Sequence, residues 1–132
     1  MTENQRVNHM ELQRDPRYVS RAREFFAEVA LGAALSADQT EIGCLAVSEL
    51  VTNAIVHGAE PMALTAVLEP HRLKVLVADG SDEAPSMTRH VSVVAEGGRG
   101  LMIVESLTDR WGWDRSEDGQ GKTIWFEIRR DG

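Results

Sequence analysis

The sequence predicts an α+β fold, a two-layer α/β sandwich in which helices cover one face of a mixed, mostly antiparallel sheet. Three observations predict it. Two early segments repeat apolar residues at helical spacing. Four later segments have the length and apolar content of strands. The order is helix, helix, strand, strand, long connection, helix, strand, strand. A chain of 132 residues suits one domain with a real core, and 42% hydrophobic with 27% charged residues is a globular balance.

Residues 1–14 are polar and are expected to form a flexible N-terminal segment, which leaves 15–132 as a single domain. Asp15-Pro16 reads as a helix start, with Pro at the first helical position and Asp as its cap. Val19, Ala22, Phe25, Phe26, Val29 and Ala30 then recur at helical spacing until Gly32 weakens the pattern. A second helix starts at Ser36 or Asp38 and runs to about His57, where Gly58 stands as a helix-ending glycine. Met62–Leu68 and Leu73–Ala78 read as strands joined by the turn-like Glu69-Pro70-His71-Arg72, and the second is apolar enough to be central. Residues 79–99 hold no convincing element, and so long a connection in a small domain is usually functional or mobile. Gly100 to Leu107 reads as a third helix. Trp111–Asp114 and Thr123–Ile128 follow as strands, with Ser116–Gly121 as their hairpin connection. Trp111 and Trp113, two residues apart, share one strand face, which suits a core edge or a partner surface.

The formal net charge of −7 argues against direct binding to nucleic acid or to an anionic membrane, since either would select a basic face. A nucleotide is anionic too, so a nucleotide site would need local backbone amides, a metal or a few basic residues. Cys44 is the only cysteine, so no intrachain disulfide can form, which fits a reducing cytoplasm. The opening MTENQRVNHM has no apolar stretch of signal-peptide length, and no run approaches a membrane span.

The stretch SELVTNAIVHG, Ser48 to Gly58, places Glu49, Asn53 and His57 four residues apart. At about 100° per residue they occupy an arc of roughly 80° on one side of the helix, with Val47, Val51, Ala54 and Ile55 opposite. Ile42, Leu45 and Val56 project close to the polar row. Burying a carboxylate there is costly unless something pairs with it. A ligand is one solution, because an amide oxygen is a hard donor for Mg²⁺ and a carboxylate can polarise a hydroxyl or water. Taken alone, such a row is more often a wetted helix face, with Asn53 satisfying a loop and His57 favouring the helix C-terminus.

Three downstream features bear on that choice. Asp79, with Gly80 after it, ends an apolar strand, and a carboxylate there could accept a hydrogen bond from an exocyclic amine such as that of adenine; Asp-Gly is equally a common turn. In EGGRGLMIVESL, Glu96 to Leu107, glycines lead into a helix whose free N–H groups could face phosphate, with Arg99 adding a cation. Gly121-Lys122-Thr123 enters the last strand, where a hydroxyl could reinforce a purine contact. The phosphate-loop run G-x-x-x-x-G-K-[ST] and the dinucleotide-binding fingerprint are both absent.

In order and spacing these pieces resemble the GHKL ATPase superfamily, and more closely its bacterial anti-sigma-factor serine/threonine kinases and their single-domain relatives. The resemblance runs from about residue 16 to residue 130. SELVTNAIVHG matches the N box, VADGSDEAP stands at the first glycine box, GGRGLMIVESL matches the second, and GKTIWFEI the terminal strand. The resemblance implies a protein of Bergerat-type fold that binds ATP and Mg²⁺, and the lone cysteine and the lack of any apolar run of signal-peptide or membrane-spanning length read as a cytoplasmic domain. Asn53 would ligate Mg²⁺, Glu49 would be the general base, and Asp79, beside Gly80, would bind the adenine amine with Thr123 in support. Gly98, Arg99, Gly100 and Leu101 would form the part of the ATP lid that opens the third helix. His57 would lie near the phosphates, and Lys122 is a further contributor. One departure stands out. The first glycine box of the family is typically Asp-x-Gly-x-Gly, and here Ser81 and Glu83 replace both later glycines. No phosphoacceptor-histidine domain is recognisable in these residues.

The function so implied is an anti-sigma-factor-like serine/threonine kinase that phosphorylates an antagonist (anti-anti-sigma) protein and regulates a sigma factor by partner switching. The altered first glycine box motivates an alternative, a nucleotide-responsive partner-binding module without kinase activity. A third expectation is an interaction domain that keeps the fold and has lost the site. Relatives in that branch commonly pair, so a homodimer is also expected, with Phe25, Phe26 or Val29 as contributors; on a helix such side chains more often serve the core.

Overall fold

The computed structural model describes residues 5–85 and 100–130, with the backbone alone for 100–103. The elements are β1 (Arg6–Leu12), α1 (Arg17–Gly32), α2 (Ala37–His57), β2 (Met62–Glu69), β3 (Arg72–Asp79), α3 (Gly100–Leu107), β4 (Arg110–Arg115) and β5 (Lys122–Arg129). The strands form one sheet in the order β1-β2-β3-β5-β4, and each neighbouring pair is antiparallel. The sheet expected to be mixed is thus antiparallel throughout its described strands.

The N-terminal segment is a second correction. Residues 6–12, expected to be loose, form β1 and pair in register with β2 from Arg6↔Leu68 to Leu12↔Met62. The sequence hid this strand because it lies at an edge, where charged and polar side chains are the rule. Only Leu12 is buried and Met10 half-buried, on alternate positions, while His9 Nδ1 meets Thr65 Oγ1 at 3.0 Å across the strands. Arg14, in the same segment, donates from Nε to Ile55 O at 2.8 Å and so places a cation on the last carbonyls of α2.

Helix α1 begins one residue later than its Pro predicts. Pro16 takes the cap position, and Asp15 accepts from the Arg17 backbone N–H at 2.9 Å. In α2 Ser36 is the N-cap of a full capping box with Gln39. The tight contact between the two helices has an identifiable cause. A Cβ on Gly43 would stand 2.1 Å from the Phe26 ring, so the glycine admits that ring into the core, where it lies 6.5 Å from Phe126. Phe26 is fully buried and Phe25 and Val29 pack against the core, as do Trp111 and Trp113. These side chains therefore serve the core.

Alternation along the strands sends Met62, Leu64 and Ala66, Leu73, Val75 and Val77, and Ile124, Phe126 and Ile128 to one face, where the helices cover them. Burying each large apolar side chain is worth about 1.5–3 kcal/mol. Across that face α1 lies over β1 and β2, α2 over β3 and β5, and α3 beside β4. Helix α2 is thus the central one, and its C-terminal end sits above the end of β3. Among the described residues no helix is long and apolar enough to cross a membrane.

Candidate functional site

The polar row on α2 acquires a direction from its neighbours. Arg23 of α1 donates to Ser48 Oγ at 3.3 Å, and Cys44 Sγ contacts Arg23 O at 3.8 Å, so the Cys44–Ser48 flank faces α1. Burial there pushes the Cys44 thiol pKa up, the nearby Arg23 charge offsetting part of the effect. Glu49, Asn53 and His57 lie on average roughly 160° around the helix from that flank, on the side toward α3. Glu49 and Asn53 are half-buried, whereas His57 is exposed at the helix end and Leu45 and Val56 are exposed outside the row. The row is the border between core and solvent, facing the glycine-led helix. Gly100 and Leu101 open α3 there, while Gly98 and Arg99 lie outside the described residues.

The acid at the other side of the site is Asp79, on the helix-facing side of β3 at its last residue. Three glycines let the chain close around it. A Cβ on Gly58 would stand 2.8 Å from Asp79 Cγ, and one on Gly121 would stand 2.6 Å from Asp79 O. Gly80 donates its N–H to Ala59 O at 2.6 Å, which ties the end of β3 to the segment leaving α2. Gly58 ends the helix as expected, but with φ −94° and ψ −162°, an extended conformation open to any residue. Its reason for being glycine is the lack of space, since a Cβ would press on both the Ala54 carbonyl and the Asp79 carboxylate.

Sequence reasoning missed the partner of that carboxylate. Lys122 is directly opposite Asp79 in the β3–β5 register. Its Nζ lies 3.1 Å from Oδ2 and 3.2 Å from Oδ1, and the two side chains are only 7% and 4% exposed. The signal was present in β5. Ile124, Phe126 and Ile128 fix the even positions as helix-facing, so Lys122 points inward and Thr123 outward. Thr123 pairs with Ala78 on the opposite face of the sheet, away from the Asp79 carboxylate, which corrects its expected role in support of that acid.

The altered glycine box is part of the same structure. Ser81 N–H donates to Asp79 Oδ1 at 2.8 Å, its hydroxyl accepts from Glu83 N–H at 3.2 Å, and its carbonyl lies 3.5 Å from Lys122 Nζ. Arg115 Nε donates to Asp82 O at 3.1 Å, holding the same turn against β4. Ser81 and Glu83 thus stand in a turn that is hydrogen-bonded to Asp79, to Lys122 and to β4.

The two ends of the site differ in their fit to ATP and Mg²⁺. The amide of Asn53 and the carboxylate of Glu49, half-buried on one flank, form a donor set that suits a hard cation and a hydroxyl proton. At the base end, the acid that would accept an amine is closed over by Lys122.

Helices over an antiparallel sheet, with the polar row of the central helix beside a glycine-led helix and an acid at a strand end, define a two-layer ATPase-type domain. The model of the histidine kinase-like ATPase domain matches residues 12–128, and the chain belongs to that family. Among solved structures twelve chains match. One is the crystal structure of the RsbU and RsbW domains of Rv1364c from Mycobacterium tuberculosis, with a TM-score of 0.72 at 18% identity. That match covers 94% of this chain and 32% of the other, so this chain spans about a third of that structure's length, and the likeness is one of fold. No curated protein matches.

Proposed function

We propose that the chain is a Mg²⁺- and ATP-dependent, anti-sigma-factor-like serine/threonine kinase that phosphorylates an antagonist protein and holds a sigma factor in alternation. The observation that carries this reading is the pairing of Glu49 and Asn53, one turn apart and half-buried on the flank of α2 turned toward α3. Bound Mg²⁺–ATP supplies a phosphoryl donor whose charge the metal neutralises. Asn53 offers the metal an amide oxygen. Glu49 accepts the proton of the attacking serine hydroxyl, and His57 at the helix end lies nearest to solvent. Backbone N–H groups of Gly100 and Leu101 at the start of α3 favour phosphate through the helix dipole, and Gly98 and the cation Arg99, which precede them in the chain, would add to that lid. Asp79, beside Gly80, is the acceptor for the adenine amine.

The test is phosphoserine formation on the cognate antagonist. Glu49→Gln is expected to lower the turnover by about 10²–10⁴-fold, the usual worth of a general base, while ATP affinity stays within a few fold. Asn53→Ala is expected to remove the Mg²⁺-dependent share of ATP binding. Equal phosphoserine from wild type and Glu49→Ala, or none from either, overturns the kinase reading. A second reading, a nucleotide-responsive partner-binding module that transfers no phosphate, is favoured by the closed Asp79–Lys122 pair. It predicts that Glu49→Ala leaves the ATP-induced change in partner affinity intact.

A further inference from the structure

Among the described residues the Asp79–Lys122 pair is the most deeply buried ion pair. An ammonium has three protons to donate, and Lys122 Nζ has three acceptors around it: both Asp79 oxygens, at 3.1 and 3.2 Å, and Ser81 O at 3.5 Å. Asp79 Oδ1 also accepts from the Ser81 N–H. The ammonium and the carboxylate are almost wholly out of water, and both residues stand on the helix-facing side of the sheet. A pair of this kind satisfies itself with no ligand present. It is also costly to open, because separating its members leaves each a buried and uncompensated charge. An adenine amine is neutral, so although its hydrogen bond to a carboxylate is charge-assisted too, it brings no charge to compensate the buried carboxylate and cannot displace the ammonium on equal terms.

Resting on the reading of Asp79 as the base acceptor, we propose that Lys122 is an internal gate on the base pocket. Its ammonium holds the acceptor carboxylate in the nucleotide-free chain, and it must withdraw before a purine amine can bind. Lys122 is therefore the residue that sets how tightly this domain takes an adenine nucleotide. The phosphate side, which involves Asn53 and the start of α3, is untouched by the gate. Wild-type affinity accordingly comes mostly from phosphate and metal, and base discrimination is weak. The apparent dissociation constant of a gated site is the intrinsic one divided by the open fraction, so removing the gate tightens binding by the same factor.

Calorimetric titration of ADP–Mg²⁺, GDP–Mg²⁺ and pyrophosphate–Mg²⁺ into the whole chain tests this without any turnover. Wild type is expected to bind ADP and pyrophosphate within about threefold, and Lys122→Thr to bind ADP about tenfold or more tightly than wild type, which is ~1.4 kcal/mol or more. The gain should be absent for pyrophosphate and smaller for GDP, whose six-position oxygen cannot donate to Asp79. Lys122→Arg, which keeps a cation on the carboxylate, should stay as weak as wild type. Thermal unfolding of each variant reports folding. If Lys122→Thr does not fold, the wild-type comparison still decides, since a preference for ADP over pyrophosphate beyond about 100-fold shows a base pocket that is already open. Equal ADP affinity in wild type and Lys122→Thr, with Asp79→Asn weakening both, overturns the gate and leaves the nucleotide reading standing. Tighter GDP than ADP binding by wild type also overturns it, because Lys122 would then be reading a base oxygen. No nucleotide binding by any of these proteins overturns both the gate and the nucleotide reading.

Discussion

Gly58 offers the sharpest test of how the site is built. Two accounts of this glycine make opposite predictions for Gly58→Ala. If the residue served only to end α2, its φ of −94° and ψ of −162° would suit alanine equally well. The substitution would then stabilise by about 0.4–1 kcal/mol through the unfolded chain. The structure puts three atoms in the way instead. The new methyl would stand 2.6 Å from Ala54 O, 2.8 Å from Asp79 Cγ and 2.9 Å from Asp79 Oδ2. Forcing a methyl into a filled site costs about 1–3 kcal/mol, so after the unfolded-state gain the net loss is ~1–2 kcal/mol. Two of the three contacts belong to the Asp79 side chain. In a background carrying Asp79→Ala with Lys122→Met, which removes both charges together, Gly58→Ala should cost about 1 kcal/mol less than in wild type. The assay is urea unfolding at fixed temperature, followed by far-ultraviolet circular dichroism, with each variant compared at constant m. Gly58→Ala at or above wild-type stability refutes the reasoning. An equal cost in both backgrounds refutes the assignment of that cost to Asp79.

Two further outcomes follow from the α2 helix. Ser36→Ala removes the acceptor of the Gln39 N–H at 3.1 Å and should cost about 1 kcal/mol, or ~4 °C in melting temperature; a change under about 1 °C would show the cap to be redundant. The Cys44 thiol, pushed up from its ordinary value of 9.0 by burial, should alkylate more slowly than a free thiol at pH 8. The unfolded chain ionises this thiol first, so stability should fall as pH rises past the unfolded value. An alkylation profile that coincides with that of a free cysteine would contradict this.

Much of the fold was legible in the chain because its signals are local. The helix start at Ser36 or Asp38, the helical spacing of Ala22, Phe26 and Ala30, and the apolar run of β3 each fall within a few residues. Strand β1 was not legible, because at an edge the ladder of backbone hydrogen bonds holds it and those bonds leave no side-chain pattern. Arg14 was hidden for a related reason, since its targets are carbonyls 41 and 42 residues away.

For the site, the sequence by itself determined which residues are available: the row Glu49, Asn53 and His57, the acid Asp79 and the glycines around it. Helical and strand periods are fixed by backbone geometry, so any chain with this pattern puts those side chains on those faces. Only the tertiary structure decided what each one faces. It turned the row toward α3 by packing Cys44 and Ser48 against α1, and it sent Thr123 to the far side of the sheet. It also set Lys122 on Asp79. That pairing joins positions 43 residues apart through the register of two strands, and register is a property of the assembled sheet.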